Sequence, residues 1–353
     1  MTYKRLGDYI REVNIRNREL KVTKLVGLTI DKAFIPSVAN VIGTDLSNYK
    51  VIRREQFACS LMQVSRDGKM PVAMYEEDEA IMSPAYPMFE VIDKTALLPQ
   101  YLMMWFSRSE FDREASYYAV GGVRGSLTWE DFCNMQLPIP SIDRQREIVS
   151  EYETLTNRIH LNEQMIQNLE ATAQTLYRNM FVDNIDKENL PAGWRMGTLG
   201  EFAEIKNGKA LTPILGNIPV YGGNGIVGYT KDSNVDNVVV IGRVGINCGS
   251  LYLHQGNCYV NDNAMMAIPQ DGNIIFLYWI LRGMDLNSQS EGSGQPLLTQ
   301  SIIYKQECII PKQELRAEFE NQGQIIYKQK SLLEQENTKL TELQSLLLAK
   351  MGQ

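Results

Sequence analysis

Apolar positions recur at heptad spacing in two stretches of the chain. In the first, Ile148, Leu155, Asn162, Leu169 and Leu176 fall seven apart, and Tyr152, Ile159, Ile166, Ala173 and Met180 fill the alternate positions. This pattern predicts a long helix with a coiled-coil seam, interrupted by one polar residue. An asparagine in such a seam fixes register at a cost in stability. Moving on 171 residues gives Phe319, Ile326, Leu333, Leu340 and Leu347 in the same phase. The lead-ins match too: Leu-Pro-Ile-Pro ending at Pro140 and Cys-Ile-Ile-Pro ending at Pro311. The chain therefore reads as a duplicated unit, each half ending in a long helix.

The 171-residue offset extends upstream of the helices, through Gly121/Gly292, Leu127/Leu298 and Thr128/Thr299. Further back, Leu6-Gly7-Asp8-Tyr9 is echoed by Leu199-Gly200-Glu201-Phe202, and Tyr101–Phe106 by Phe276–Leu281. Between these anchors the halves look unrelated, so a shared frame is expected to carry two different inserts. In the first half, 50–57, 58–64 and 70–75 read as short strands, 81–91 as a proline-interrupted extended segment, and 99–117 as helix. Ser126 or Thr128 could cap the helix that follows. The polar run 183–193 reads as a linker. The expected domains are 1–140 and 194–311, each followed by a spacer helix, 141–182 and 312–353.

Composition narrows the class. The chain has 353 residues, 44% hydrophobic and 22% charged. No apolar run reaches the roughly 20 residues that span a bilayer, and no signal peptide is expected at the start. Five scattered cysteines, Cys59, Cys133, Cys248, Cys258 and Cys308, lack metal-ligand spacing. They point to free thiols in a reducing, cytoplasmic setting. The formal net charge of −7 argues against a stand-alone nucleic-acid binder, although local charge decides affinity. The basic residues Arg11, Arg16, Arg18, Lys21 and Lys24 read equally as a solvated face.

The order of variable domain, long helix, variable domain, long helix resembles the specificity subunit of type I restriction–modification systems. Local motifs carry the resemblance: Pro219-Val-Tyr-Gly-Gly-Asn224-Gly-Ile-Val-Gly-Tyr229, Val240-Ile-Gly-Arg243-Val-Gly and Asn261-Asp-Asn263-Ala in the second half. Gln56 through Gly68 and Ser83-Pro-Ala-Tyr86 stand in the first. The resemblance implies an α+β fold, with two mixed α/β target recognition domains joined by two long antiparallel helices in a pseudo-two-fold duplication. It implies that each domain reads one half of a bipartite site on double-stranded DNA. The helices, about 60 Å long at 1.5 Å per residue, would set a separation near one DNA turn, about 34 Å. They would also dock two methyltransferase subunits, with restriction/translocase subunits joining that core. In the second helix Gly323, Lys330, Asn337 and Gln344 match the apolar Tyr152, Ile159, Ile166 and Ala173. One stripe is thus expected to pair the helices and the other to face partner subunits.

Catalytic signatures are missing from the sequence. It carries no Asn-Pro-Pro-Tyr or Asp-Pro-Pro-Tyr motif, no nucleotide-binding Gly-x-x-x-x-Gly-Lys-Ser/Thr loop, and two histidines, His160 and His254, far apart. The acidic run Glu76–Glu79 reads as a solvated loop. S-adenosylmethionine, ATP and magnesium are expected on partner subunits and none on this chain. What remains is recognition: Arg reads guanine, Asn and Gln read adenine, and cations, hydroxyls and glycine-loop N–H groups hold phosphates. By residue type the candidates are Arg53, Arg66, Lys69, Tyr86 and Arg124 in the first domain. In the second they are Lys206, Lys209, Tyr221, Asn224, Arg243, Asn247, Ser293 and Gln295, with Gly222 and Gly223 admitting a close DNA backbone. Each arginine reads equally as half of an internal ion pair, and Gly222-Gly223 equally as a turn. A non-catalytic coiled-coil adaptor that binds proteins is the competing class, but it gives no reason for two divergent inserts in one frame.

Overall fold

A computed structural model describes residues 3–37, 43–62, 64–120, 125–211, 215–291 and 296–352. The chain forms two compact units, residues 1–162 with 336–353, and residues 163–335. No described helix is long and apolar enough to cross a membrane.

The heptad pattern becomes two long helices, Ile142–Phe181 and Gln313–Lys350. Every predicted seam position is buried or half-buried, while the flanking positions are mostly exposed. The helices run antiparallel within each unit. In the first unit Arg158 pairs with Glu336 at 2.9 Å and Gln344 donates to Thr156 at 2.8 Å. In the second Lys330 pairs with Glu170 at 2.5 Å. These contacts correct the expectation that one stripe faces outward. Lys330, Asn337 and Gln344 bond across the seam, and Gly323 is buried against Ile275, which would lie 2.9 Å from an added Cβ. The polar stripe is inward because its groups find polar partners there.

The duplicated frame is more extensive than the sequence reveals. In the first unit four strands pair antiparallel in the order Ile10–Glu12, Met88–Val91, Phe57–Cys59, Val72–Met74. In the second, Ala203–Asn207, Ala264–Pro269, Val235–Gly242 and Leu251–Val260 repeat that order. A short strand pair closes each copy, Tyr3–Arg5 with Gln136–Pro138 and Arg195–Thr198 with Glu307–Ile310. Sequence comparison misses this frame because strand pairing needs only alternating apolar side chains, which many sequences supply. Both faces of each sheet are covered. Phe57, Cys59, Phe89 and Val91 point into one core, and Ala58 and Met88 into another. In the second unit Val239 and Ile241 alternate with Val238 and Val240 in the same way.

One core in each unit lies against the Pro99–Phe106 or Ile274–Arg282 helix and the long helices. The other is closed by an insert. Both inserts enter between the first two frame strands in chain order. The first contributes the pair Val26–Leu28 with Phe34–Pro36, and Lys50–Arg53, which pairs with Glu79–Met82. The second contributes the hairpin Ile218–Gly222 and Gly225–Thr230, joined to the sheet by parallel pairing of Tyr221 with Val260.

Local expectations fared unevenly. Thr128 caps Trp129–Asn134, accepting from Asp131 N at 3.0 Å, and Thr299 caps Gln300–Tyr304. The stretch read as one helix over 99–117 is two, Pro99–Phe106 and Ser109–Ala119, parted where Arg108 turns extended. The expected strand over 58–64 ends at Cys59, and Val64–Asp67 is a helical turn. All five cysteines are free, and four are buried.

Each domain is tied to its long helix at equivalent positions by different chemistry. Gln145 accepts from Leu98 N at 2.9 Å at the start of the Pro99–Phe106 helix, and donates to Ala96 O and Pro140 O. Its counterpart 171 residues on, Arg316, is buried and pairs with Asp271. One turn further, Glu320 accepts from Ile275 N at 2.8 Å and Phe276 N at 3.2 Å, satisfying orphan donors at that helix start. Burial raises the Glu320 carboxyl above its ordinary pKa.

Candidate nucleic-acid interface

The glycine-rich segments of the second unit converge on one loop cluster. Gly223 O accepts from Ser250 Oγ at 2.7 Å, and Arg243 N donates to Asn263 O at 3.1 Å. Gly208 N and Lys209 N donate to Ala264 O and Val260 O, drawing the segment after Ala203–Asn207 into the same cluster. Gly245 N bonds to Pro296 O at 3.0 Å, and Leu298 N to Arg243 O at 3.0 Å. Short loops of this kind, tied to one another and to a sheet, present side chains outward on a fixed frame.

Several polar side chains on this cluster have no partner among the described residues. Among the described residues, the amides of Asn224, Asn247 and Asn263 make no side-chain hydrogen bond. Among the described residues the Arg243 guanidinium has no carboxylate partner, and its Nε is buried without a hydrogen bond. Lys209 is exposed and has no ion-pair partner among the described residues. Polar groups left unsatisfied on a tied loop are what a ligand with donor and acceptor edges would complete. Asp262 is the one acidic residue among Gly208, Lys209, 222–224, 243–250 and 261–263. Locally the sign of charge is not that of the whole chain.

Other sequence candidates are placed differently. Lys206 is exposed in an ion pair with Glu204 at 2.8 Å. Tyr221 does not face solvent. It is buried in the second core, and its hydroxyl lies 3.2 Å from His254 Nδ1. Burial pushes that hydroxyl up to about 12 and lowers the His254 imidazole. Gly222 and Gly223 also turn inward, since an added Cβ would lie 3.2 Å from the Asn261 amide and 3.2 Å from Asn263 O respectively. Their small size lets loops pack on loops, not DNA on backbone. Ser293 and Gln295 lie outside the described residues.

In the first unit Arg66 and Lys69 stand in the loop that follows Phe57–Cys59, the counterpart of 243–250, and the same bond pins it: Leu127 N to Leu61 O at 2.9 Å. Both cations are exposed and paired, Arg66 with Asp67 at 2.7 Å and Lys69 with Asp31 at 3.0 Å. Such surface pairs are worth about 0–1 kcal/mol, so a phosphate can displace the carboxylate. Arg53 sits instead on the insert, 3.7 Å from Glu79, and Tyr86 is half-buried against the insert core. Arg124 lies outside the described residues. The basic segment is likewise engaged: Arg11 with Glu90, Arg16 and Arg18 with Asn48, Lys21 with Glu19, and Lys24 with Glu77. In the acidic run Asp78 and Glu79 pair with Arg54 and Arg53.

The sequence singles out neither Asn263 nor Ile246 and Met62, which stand exposed on the loops. Asn263 was visible within its motif. The exposed apolar residues carried no sequence signal, because an isolated isoleucine or methionine reads as core.

The family model described as "Type I restriction modification DNA specificity domain" matches residues 64–171 and 191–346. The chain is 28% identical over 192 residues to the type I restriction enzyme EcoprrI specificity subunit of Escherichia coli, covering 50% of this chain and 47% of that protein. It is 30% identical over 99 residues to the type I restriction enzyme HindI specificity subunit of Haemophilus influenzae, covering 27% of this chain and 22% of that one. The match thus spans about half the length of the first relative and less of the second. In fold, the chain is similar to the crystal structure of a type I restriction-modification system S subunit from M. genitalium, with a TM-score of 0.68 at 15% identity over 100% of this chain and 96% of the other. The second matched segment holds all four frame strands of its unit, the first holds Val72–Met74 and Met88–Val91 with most of the long helix, and the chain belongs to the type I restriction modification DNA specificity domain family.

Proposed function

We propose that this chain is the sequence-specific DNA recognition subunit of a type I restriction–modification complex, each domain reading one half of a bipartite duplex target. The observation that carries this reading is one four-strand frame built twice, with a different insert in each copy. A duplicated scaffold with unlike reading surfaces suits a two-part target of unlike halves. Arg243, Asn224, Asn247 and Asn263 supply base-reading groups in the second domain, and Lys209 a phosphate contact. The chain contributes no chemistry to methylation or cleavage. Those steps, with S-adenosylmethionine, ATP and magnesium, belong on this reading to methyltransferase and restriction/translocase subunits in the cytoplasm.

The helix pair offers two docking surfaces, one in each unit. In the second, Ile325 and Leu332 are 70% and 57% exposed, one heptad apart, beside a cleft of about 860 Å³ that also touches Ile268 and Pro269. In the first, Leu343 and Leu346 are exposed beside a cleft of about 490 Å³ lined by Thr154 and Leu155. Two apolar clefts suit two copies of one methyltransferase subunit.

A methylation map of the source genome, with and without this gene, tests the reading. Loss of a two-part motif with a fixed gap is the expected result. An unchanged map with active methyltransferase subunits present would overturn it.

A further inference from the structure

Ile246 is 93% exposed, in the three-residue turn Gly245–Asn247 of the second unit's loop cluster. Single exposed apolar residues are common and need no explanation alone. Three observations set this one apart. First, the turn is held at both ends, by Gly245 N to Pro296 O at 3.0 Å and by Cys248 N to Gly245 O at 3.0 Å. Gly245 has φ of +71°, a conformation that costs glycine little. The isoleucine is thus carried on a tied loop and not on a free end. Second, the neighbouring reader Arg243 has no side-chain partner among the described residues, and its own carbonyl accepts from Leu298 N and Cys248 Sγ, so its backbone is fixed while its guanidinium is uncommitted there. Third, the first unit does the same thing with different residues. The loop pinned by Leu127 N to Leu61 O exposes Met62 at 60%, directly after the pinned residue. Two copies of a frame with little sequence in common both project an apolar side chain from the corresponding loop.

We propose that Ile246 reads a thymine, packing its side chain on the C5 methyl group in the major groove beside the base edge bonded by Arg243. The proposal rests on the DNA-reading function above and adds a specific base contact to it. An aliphatic side chain has no hydrogen bonds to offer, and the thymine methyl is the one apolar group the major groove presents. An aliphatic side chain carried three residues from Arg243 on the same tied loop is therefore matched to a site carrying both a guanine edge and a thymine.

The test uses the chain assembled with its methyltransferase subunits and duplexes carrying the mapped target. Each thymine in the half read by the second domain is replaced in turn by deoxyuridine, which removes only the methyl group. Replacing one thymine is expected to weaken binding by the wild-type complex about four-fold, the worth of one buried methyl. The Ile246→Ala complex is expected to bind the unmodified duplex on the order of ten-fold more weakly, and to lose the response to deoxyuridine at that position. A wild-type complex indifferent to every replacement overturns the proposal. So does an Ile246→Ala complex that keeps the full response. Wild-type complex that binds no duplex specifically overturns the recognition reading as well, which separates the two failures. Since Ile246 is exposed, unchanged thermal unfolding of the variant is the control for folding.

Discussion

Asn162 Nδ2 donates to Asn337 Oδ1 at 2.8 Å, and the two residues come from the two long helices 175 positions apart. Asn162 is fully buried, with its own Oδ1 unsatisfied, while the positions one heptad away are aliphatic. The bond favours one register, because a one-heptad slip would set the Asn337 amide against Leu155 or Leu169. The Asn337→Leu variant is expected to lose about 1–3 kcal/mol, the cost of stranding a buried amide. The Asn162→Leu, Asn337→Leu pair is expected to recover that loss, since both polar groups leave together. Denaturant unfolding of the two single variants and the pair, read as a double-mutant cycle, checks this. A zero coupling term would show that the contact is incidental.

Glu320 carries a pH signature. Its carboxylate bonds two backbone N–H groups at the start of Ile274–Arg282, and burial raises its pKa. A raised carboxyl pKa means that the folded state holds the proton more tightly, so this group's contribution to stability falls as pH rises through the window between the unfolded and folded values. Glu320→Gln keeps an acceptor but cannot ionise. Its melting temperature is expected to rise relative to wild type between pH 4 and pH 8. Glu320→Ala, leaving two buried donors bare, is expected to cost about 2 kcal/mol or more at every pH. A constant offset between Gln and wild type across that range would refute the burial account.

Arg243 and Lys209 are predicted to fail differently. Arg243→Ala should cost about 1–3 kcal/mol of binding and relax the preference at one base position, because a guanidinium bonds guanine by two edges. Lys209→Ala should weaken all sequences alike and lower the salt dependence by about one counterion. Binding titrations at several salt concentrations, on target and single-base variants, distinguish the two. Equal losses on all sequences for Arg243→Ala would place it on the phosphates.

Ile325→Asp with Leu332→Asp is expected to abolish methyltransferase binding to the second unit while leaving folding intact, since both side chains already face water. The complex should then hold one methyltransferase copy in place of two, which native mass spectrometry reads directly. Two copies retained would mean that the cleft has another use.

The heptads, read as sequence, were enough to place both long helices and the apolar stripe of their seam. A 3.5-residue period over 40 positions has no other low-energy form, and burial of Ile148, Leu155, Asn162 and Leu169 followed. The Thr128 cap, one of two candidates with Ser126, was legible because its partner lies three residues away. What only the tertiary structure decided depends on contacts distant in the chain. Lys330, Asn337 and Gln344 turn inward because Glu170, Asn162 and Thr156 wait across the seam, which the second helix alone does not encode. Tyr221 went to a core and Arg53 to an ion pair, while Arg243 found no partner among the described residues, although residue type rated all three alike. The matching strand orders were hidden because a sheet constrains apolar alternation and not residue identity. Sequence by itself thus determined the duplicated helical frame, where periodicity sets the energy. Tertiary packing decided which polar groups remain unpaired among the described residues, because pairing is a property of neighbours in space.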